Sequence, residues 1–106
     1  FQIEQDEGVS ISKRTLARFE PVTFDDRVVE IVERHAARVD DRVKRMPSGA
    51  GHDAQMFARI CPTAMIFVPS RGGISHNPAE HTDDDQLVSG ANVLLRAMLD
   101  IASLDF

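Results

Sequence analysis

The chain has 106 residues, 12 Lys and Arg against 17 Asp and Glu, a formal net charge of −5, and 42% hydrophobic and 27% charged residues. This is the balance of one ordinary globular unit rather than of a disordered segment. Residues 1–45 hold nine basic and ten acidic side chains and residues 46–106 hold three and seven, so neither part offers the basic face that a phosphate backbone requires, and nucleic acid is excluded as a partner.

The longest apolar run, residues 64–69, is far too short to span a bilayer, so no membrane association is expected. No basic stretch followed by an apolar run marks a secretion signal. The single cysteine, Cys61, excludes an internal disulfide and suits a reducing cytoplasm. It reads as a small buried hydrophobe closing a helix before Pro62. The chain opens Phe1-Gln2-Ile3 with no initiator Met, and is read as a piece of something longer.

Residues 1–7, FQIEQDE, resemble the end of an amphipathic helix, with Gly8 free to take the left-handed conformation that turns the chain. A hairpin turning at Asp6-Glu7-Gly8 is the competing reading. Val9, Ile11 and Lys13 alternate with Ser10, Ser12 and Arg14, the pattern of a strand with one wet face. Pro21 lacks an amide hydrogen and has a fixed φ, so the strand stops before it and Phe19–Val22 forms a linker between two units. Asp25 or Asp26 is placed to cap the next helix. Val28, Ile31, Val32, His35, Ala36 and Val39 then lie on one helical stripe, with Arg27, Glu30, Glu33, Arg34 and Arg38 opposite. Glu30 and Arg34 are spaced for an i,i+4 ion pair. His35 on that stripe reads as a partly buried helix histidine.

Val43, Arg45 and Met46 suit a short strand. Ser48-Gly49-Ala50-Gly51 can only be a tight turn, and it delivers His52 to a short helix bearing Ala54, Phe57, Ala58 and Cys61, which Pro62 stops. Residues 63–68, TAMIFV, are apolar at both alternate sets of positions, the pattern of a strand covered on both faces. Residues 70–76 lie beyond its carboxyl end, where open α/β sheets gather ligands. Thr82-Asp83-Asp84-Asp85 is a helix start in which Thr82 and Asp85 cap each other reciprocally. A broad apolar stripe from Leu87 through Leu94, Leu95, Met98 and Leu99 to Ala102 then continues for about five turns.

His52 and His76 sit in turns of glycine, serine and alanine, which supply no core for a histidine to fill. Metal ligation needs a neutral imidazole whose second nitrogen is oriented by a carboxylate or carbonyl. Asp53, Glu80 and Asp83 are placed for that, although Asp53 equally suits capping the helix after it. His81 reads as a surface residue. A catalytic divalent ion wants about three protein ligands and an open position, and the chain has no HExxH, no HxD and no adjacent Glu pair. Two histidines 24 residues apart do not make a metal site alone. Covalent catalysis is disfavoured, because Ser48, Ser70 and Ser75 lie in no GxSxG elbow and Cys61 has no adjacent base.

GAGHDAQ at 49–55 and PSRGGISHNPAEHT at 69–82, joined by PTAMIFV and followed by the helix LVSGANVLLRAMLDIA, carry a resemblance. The chain resembles, over about residues 8–103, the C-terminal end of the amidase, hydantoinase/carbamoylase family. That family comprises N-carbamoyl-L-amino-acid hydrolases, β-ureidopropionases and allantoate amidohydrolases, within the dinuclear-metal aminoacylase-like peptidases. The resemblance implies an α/β fold: the last βαβα segment of a zinc-peptidase-like catalytic domain, residues 21–106, preceded in residues 1–20 by the final strand of an α+β lid and dimerisation domain and the crossing linker.

It also implies that His76 is the last ligand of a pair of divalent ions, zinc or manganese. His52 would be catalytic, contacting the substrate with Gly51, Gly72 and Gly73. The reaction would be hydrolysis of a linear C–N bond in a carbamoyl, ureido or amidine substrate by a cytoplasmic homodimer. The remaining ligands and the general-base glutamate would lie upstream, leaving this piece alone inactive and without a tightly held metal. The alternative is a non-catalytic binding or oligomerisation module derived from the same fold.

Overall fold

A computed structural model describes residues 1–106. It contains four α-helices, α1 (Gln2–Glu7), α2 (Asp26–Ala36), α3 (Ala54–Phe57) and α4 (Asp84–Ala102), and one 3-10 turn at Arg71–Gly73. There is no strand and no sheet. The expected α/β arrangement, the βαβα segment and the preceding lid strand alike, is therefore corrected: the chain is helical, with long extended connections.

The physical reason lies in the backbone hydrogen bonds. A strand exists only where a neighbour takes up its N–H and C=O groups. Residues 9–14, 43–46 and 64–68 run without helix or turn, and none of them forms a backbone hydrogen bond to another segment. Ile11 N–H donates instead to the Glu4 carboxylate at 2.7 Å. Beside residues 64–68 the one link is Asp25 N–H to Thr63 C=O, 3.2 Å. Residues 63–66 and 68 are only half-buried and Phe67 is exposed, so the segment is not covered on both faces as expected, and a neighbouring strand is not supplied by this chain.

The helices form largely where periodicity placed them. Gly8 ends α1 with φ +64°, the left-handed cap expected of it, and the helix reading of residues 1–7 prevails over the hairpin. Asp25 rather than Asp26 caps α2, accepting from Arg27 N–H at 2.9 Å and Val28 N–H at 3.3 Å. Val28, Ile31 and His35 of its stripe are buried; Val39 lies past its end and is exposed. The core lies where α2 packs on α4, and Val28, Ile31, Val93 and Ala97 are its buried side chains from these helices.

Three cap and pair expectations are corrected. Thr82 does not cap α4: its hydroxyl donates to Pro69 C=O at 2.8 Å, and Asp83 occupies the cap position without a side-chain bond. Asp53 makes no cap to α3. Arg34 reaches across to Asp100 on α4, 3.0 Å, rather than along its own helix to Glu30. In addition α3 is only four residues long, and Cys61 beyond it is exposed rather than buried.

Candidate functional site

The turn at residues 48–53 is closed by short-range bonds. Ser48 Oγ donates to Ala50 C=O at 3.0 Å, and His52 N–H reaches Gln55 Oε1 at 3.4 Å. His52 itself caps α3, because its Nδ1 accepts from Ala54 N–H at 3.0 Å. A ring nitrogen that accepts is unprotonated, so in neutral His52 the proton sits on Nε2 and the ring offers one N–H donor. His52 lines an open apolar trough of about 440 Å³ between α2, α4 and residues 64–68, beside Ala54, Met65 and Leu94. Gly51 meets no close neighbour; a Cβ there would lie 3.9 Å from Gln55 Oε1.

The second turn is more tightly organised. Arg71 N–H donates to His81 C=O at 2.8 Å and Thr82 Oγ to Pro69 C=O at 2.8 Å, so the two ends of residues 69–82 are tied together. Gly72 and Gly73 follow one another at φ +66° and +68°, a left-handed pair that side-chain-bearing residues resist. His76 is the one non-glycine residue with positive φ, +54°, a conformation that costs an L-residue roughly 1–2 kcal/mol. Its N–H donates to Glu80 Oε2 at 3.1 Å. The imidazole itself has no hydrogen-bond partner and is exposed.

His81 and Arg71 both reach the Asp83 carboxylate, at 3.2 Å and 2.8 Å. They line a small polar cleft of about 210 Å³ with Pro69, Ser70 and Gln86. His81 is thus a surface residue, as expected, but a paired one.

The trough and the cleft do not bring His52 and His76 together: His52 lines the apolar trough, while His76 lines neither. No three His, Cys, Asp or Glu side chains converge as a metal cage would require. The donor chemistry nevertheless suits a single contribution: an exposed imidazole, unoccupied by any protein partner, fits one ligand of a set completed by other residues.

Periodicity alone missed a polar cluster beneath the trough. His35 Nε2 lies 2.6 Å from Asp100 Oδ2, which also takes Arg34. Asp100 is held below its usual carboxylate value, first by the hydrogen bond with His35 and then by that from Arg34. His35 Nδ1 is buried without a partner. With the proton on Nε2 the orphan is a lone pair rather than a stranded N–H. His35 was legible on the stripe of α2, but Asp100 lies outside the apolar stripe read for α4, and the sequence does not give the register that brings the two together.

Residues 8–100 match the family model of peptidase family M20/M25/M40. An N-carbamoyl-L-amino-acid amidohydrolase of Rhizobium meliloti is 41% identical over 97 residues, covering 92% of this chain and 23% of that protein. Allantoate amidohydrolases of Bacillus subtilis and Escherichia coli are 44% and 43% identical, covering 80% and 78% of this chain and 21% and 20% of those proteins. No solved structure matches.

The chain therefore belongs to the M20/M25/M40 peptidase family. The similarity to carbamoyl-amino-acid and allantoate amidohydrolases read from GAGHDAQ and PSRGGISHNPAEHT is borne out by these relatives, and the chain spans between a fifth and a quarter of their length.

Proposed function

We propose that this chain is the C-terminal segment of a metal-dependent hydrolase that cleaves a linear C–N bond in carbamoyl, ureido or amidine substrates. The observation that carries the reading is the match of nearly the whole chain to amidohydrolases of the M20/M25/M40 family, together with two histidines held on separate, well-tied turns. Residues 1–20 form the end of a lid and dimerisation unit with its crossing linker, and residues 21–106 the last part of the catalytic domain. Helix α1 buries nothing against the rest of the chain, which accords with that division. The whole enzyme is a cytoplasmic homodimer acting on a small molecule, with neither nucleic acid nor membrane as partner; no helix here is long and apolar enough to cross a membrane.

Two divalent ions, zinc or manganese, would when bound supply Lewis acidity toward the scissile carbonyl and toward a water. His76 would hold them with one imidazole, and the other ligands and the general base would come from upstream. His52 presents Nε2–H to the substrate oxygen as negative charge builds there. Its Nδ1 is engaged by Ala54 N–H, so the donor is already the right tautomer before substrate arrives. One such preorganised donor is typically worth about 2.7–4 kcal/mol of transition-state stabilisation. Backbone groups of Gly51, Gly72 and Gly73 approach the substrate, where the absence of a side chain gives room.

Substitution in the full-length enzyme tests the division of roles. His76→Ala loses about one equivalent of metal, whereas His52→Ala keeps both and lowers kcat roughly 10²–10³-fold. Metal analysis showing equal losses in both variants contradicts the assignment. Full metal content and normal turnover in both variants would remove both histidines from the site, whereas a full-length protein with neither bound metal nor turnover would favour the reading of a non-catalytic binding or oligomerisation module.

A further inference from the structure

Metal-ligating histidines are ordinarily oriented by a hydrogen bond to their second ring nitrogen. In this chain the nearest carboxylate in sequence, Glu80, is committed elsewhere: its Oε2 accepts the backbone N–H of His76 at 3.1 Å. We propose that Glu80 is a positioning residue for the His76 imidazole, acting through the backbone rather than through the ring. The proposal rests on the reading of His76 as a metal ligand.

Four features build this device. His76 has φ +54°, alone among the non-glycine residues. Asn77-Pro78-Ala79-Glu80 forms a tight turn, with Glu80 N–H donating to Asn77 C=O at 2.9 Å. Pro78 stands at the second position of that turn, where its fixed φ belongs. Asn77 Oδ1 accepts Ala79 N–H at 2.9 Å and stiffens the same bend. The turn folds the chain back so that the Glu80 carboxylate meets the amide four residues earlier.

The left-handed conformation decides where the His76 Cβ, and so its ring, projects. Relaxation of that residue into the right-handed or extended region would swing the imidazole to another side of the chain. A charge-assisted bond to the His76 amide opposes the relaxation and leaves both ring nitrogens free of protein partners. The loop therefore presents the ring pre-aimed.

Two measurements test this. In the full-length enzyme, Glu80→Ala weakens one of the two ions about 10-fold or more in a metal titration, the range typical when a residue supporting a ligand is lost. Glu80→Gln, which retains the acceptor oxygen, stays within about 3-fold of the parent. In the full-length enzyme stripped of metal, amide exchange of His76 followed by NMR speeds up in Glu80→Ala and not in Glu80→Gln.

Unchanged metal affinity in Glu80→Ala, alongside loss of an ion in His76→Ala, overturns the positioning role and leaves the ligand assignment standing. Glu80→Gln no better than Glu80→Ala overturns it as well, because the acceptor would not be what matters. Retention of both ions by His76→Ala overturns the ligand assignment and the positioning role together.

Discussion

Histidine side chains in this protein serve four different purposes, and the chemistry of their neighbours separates them. His35 is buried and bonded to Asp100, His52 caps a helix with one nitrogen, His76 is held by its backbone, and His81 shares Asp83 with Arg71. Replacing His35 by Ala removes the hydrogen bond to the Asp100 carboxylate and a buried side chain from α2, and lowers stability. A thermal or urea melt followed by circular dichroism checks that loss. At the glycine pair, Gly72→Ala and Gly73→Ala each force a side-chain-bearing residue into the left-handed region and cost about 1 kcal/mol; since the strain is local, the loop around His76 should loosen before the α2–α4 core does. His52 as its own helix cap was not legible in GAGHDAQ, because Asp53 offers the more usual capping oxygen. Only the rotamer of His52 decides between them.

At the scale of elements, what depended on one segment's own periodicity was legible and what depended on a partner was not. Helix α4 could be read from its stripe and its acidic first turn, α2 from its stripe and Asp25. Residues 63–68 showed their apolar character, yet whether they pair is a property of what lies beside them. Thr82 likewise had two acceptable uses, capping α4 or tying down Pro69, and only the closed loop selects the second.

Gly90 marks where α4 meets the extended segment, since a Cβ there would overlap Val68 Cγ1. Gly90→Ala gains roughly 0.8–1 kcal/mol of helix propensity but meets an overpacking penalty of about 1–3 kcal/mol. The expected net result is a modest destabilisation, read as a lower melting temperature despite the better helix former.

Acid should part α2 from α4. Asp100 is lowered by His35 and Arg34, and Glu33 by Arg45. A depressed carboxylate contributes fully above its unfolded value of about 3.9–4.3 and loses that contribution as the pH falls through its folded value. Asp40 is lowered to about 2 by Arg42, but that partner is two residues away and stays close in the unfolded chain, so it adds little. A pH titration of the helical circular dichroism should be flat above about pH 5 and fall below about pH 4.

The whole molecule does not close on itself. Its radius of gyration is 18.8 Å over extents of 60 × 33 × 20 Å, where a compact domain of this length has about 13 Å. Its accessible surface is 8827 Å², against roughly 5900 Å² for a folded monomer of its mass. Only six residues are buried. Helix α4 shows the cause: Val93 and Ala97 face α2, while Val88, Leu95 and Leu99 form a further apolar stripe that stays 56–65% exposed.

Apolar surface left open on this scale is the mark of an interface rather than of a finished domain. It agrees with a chain that spans a fifth to a quarter of its relatives. The isolated chain should therefore bind a hydrophobic dye and self-associate in sedimentation experiments, and the paired change Leu95→Glu with Leu99→Glu should reduce both.

If His52 and His76 belong to a catalytic site completed by residues outside this chain, then hydrolysis of N-carbamoyl amino acids and of allantoate, measured with added manganese or zinc, should be seen with the full-length enzyme and not with the 106-residue chain. Turnover by the 106-residue chain by itself would mean that no essential ligand lies outside it.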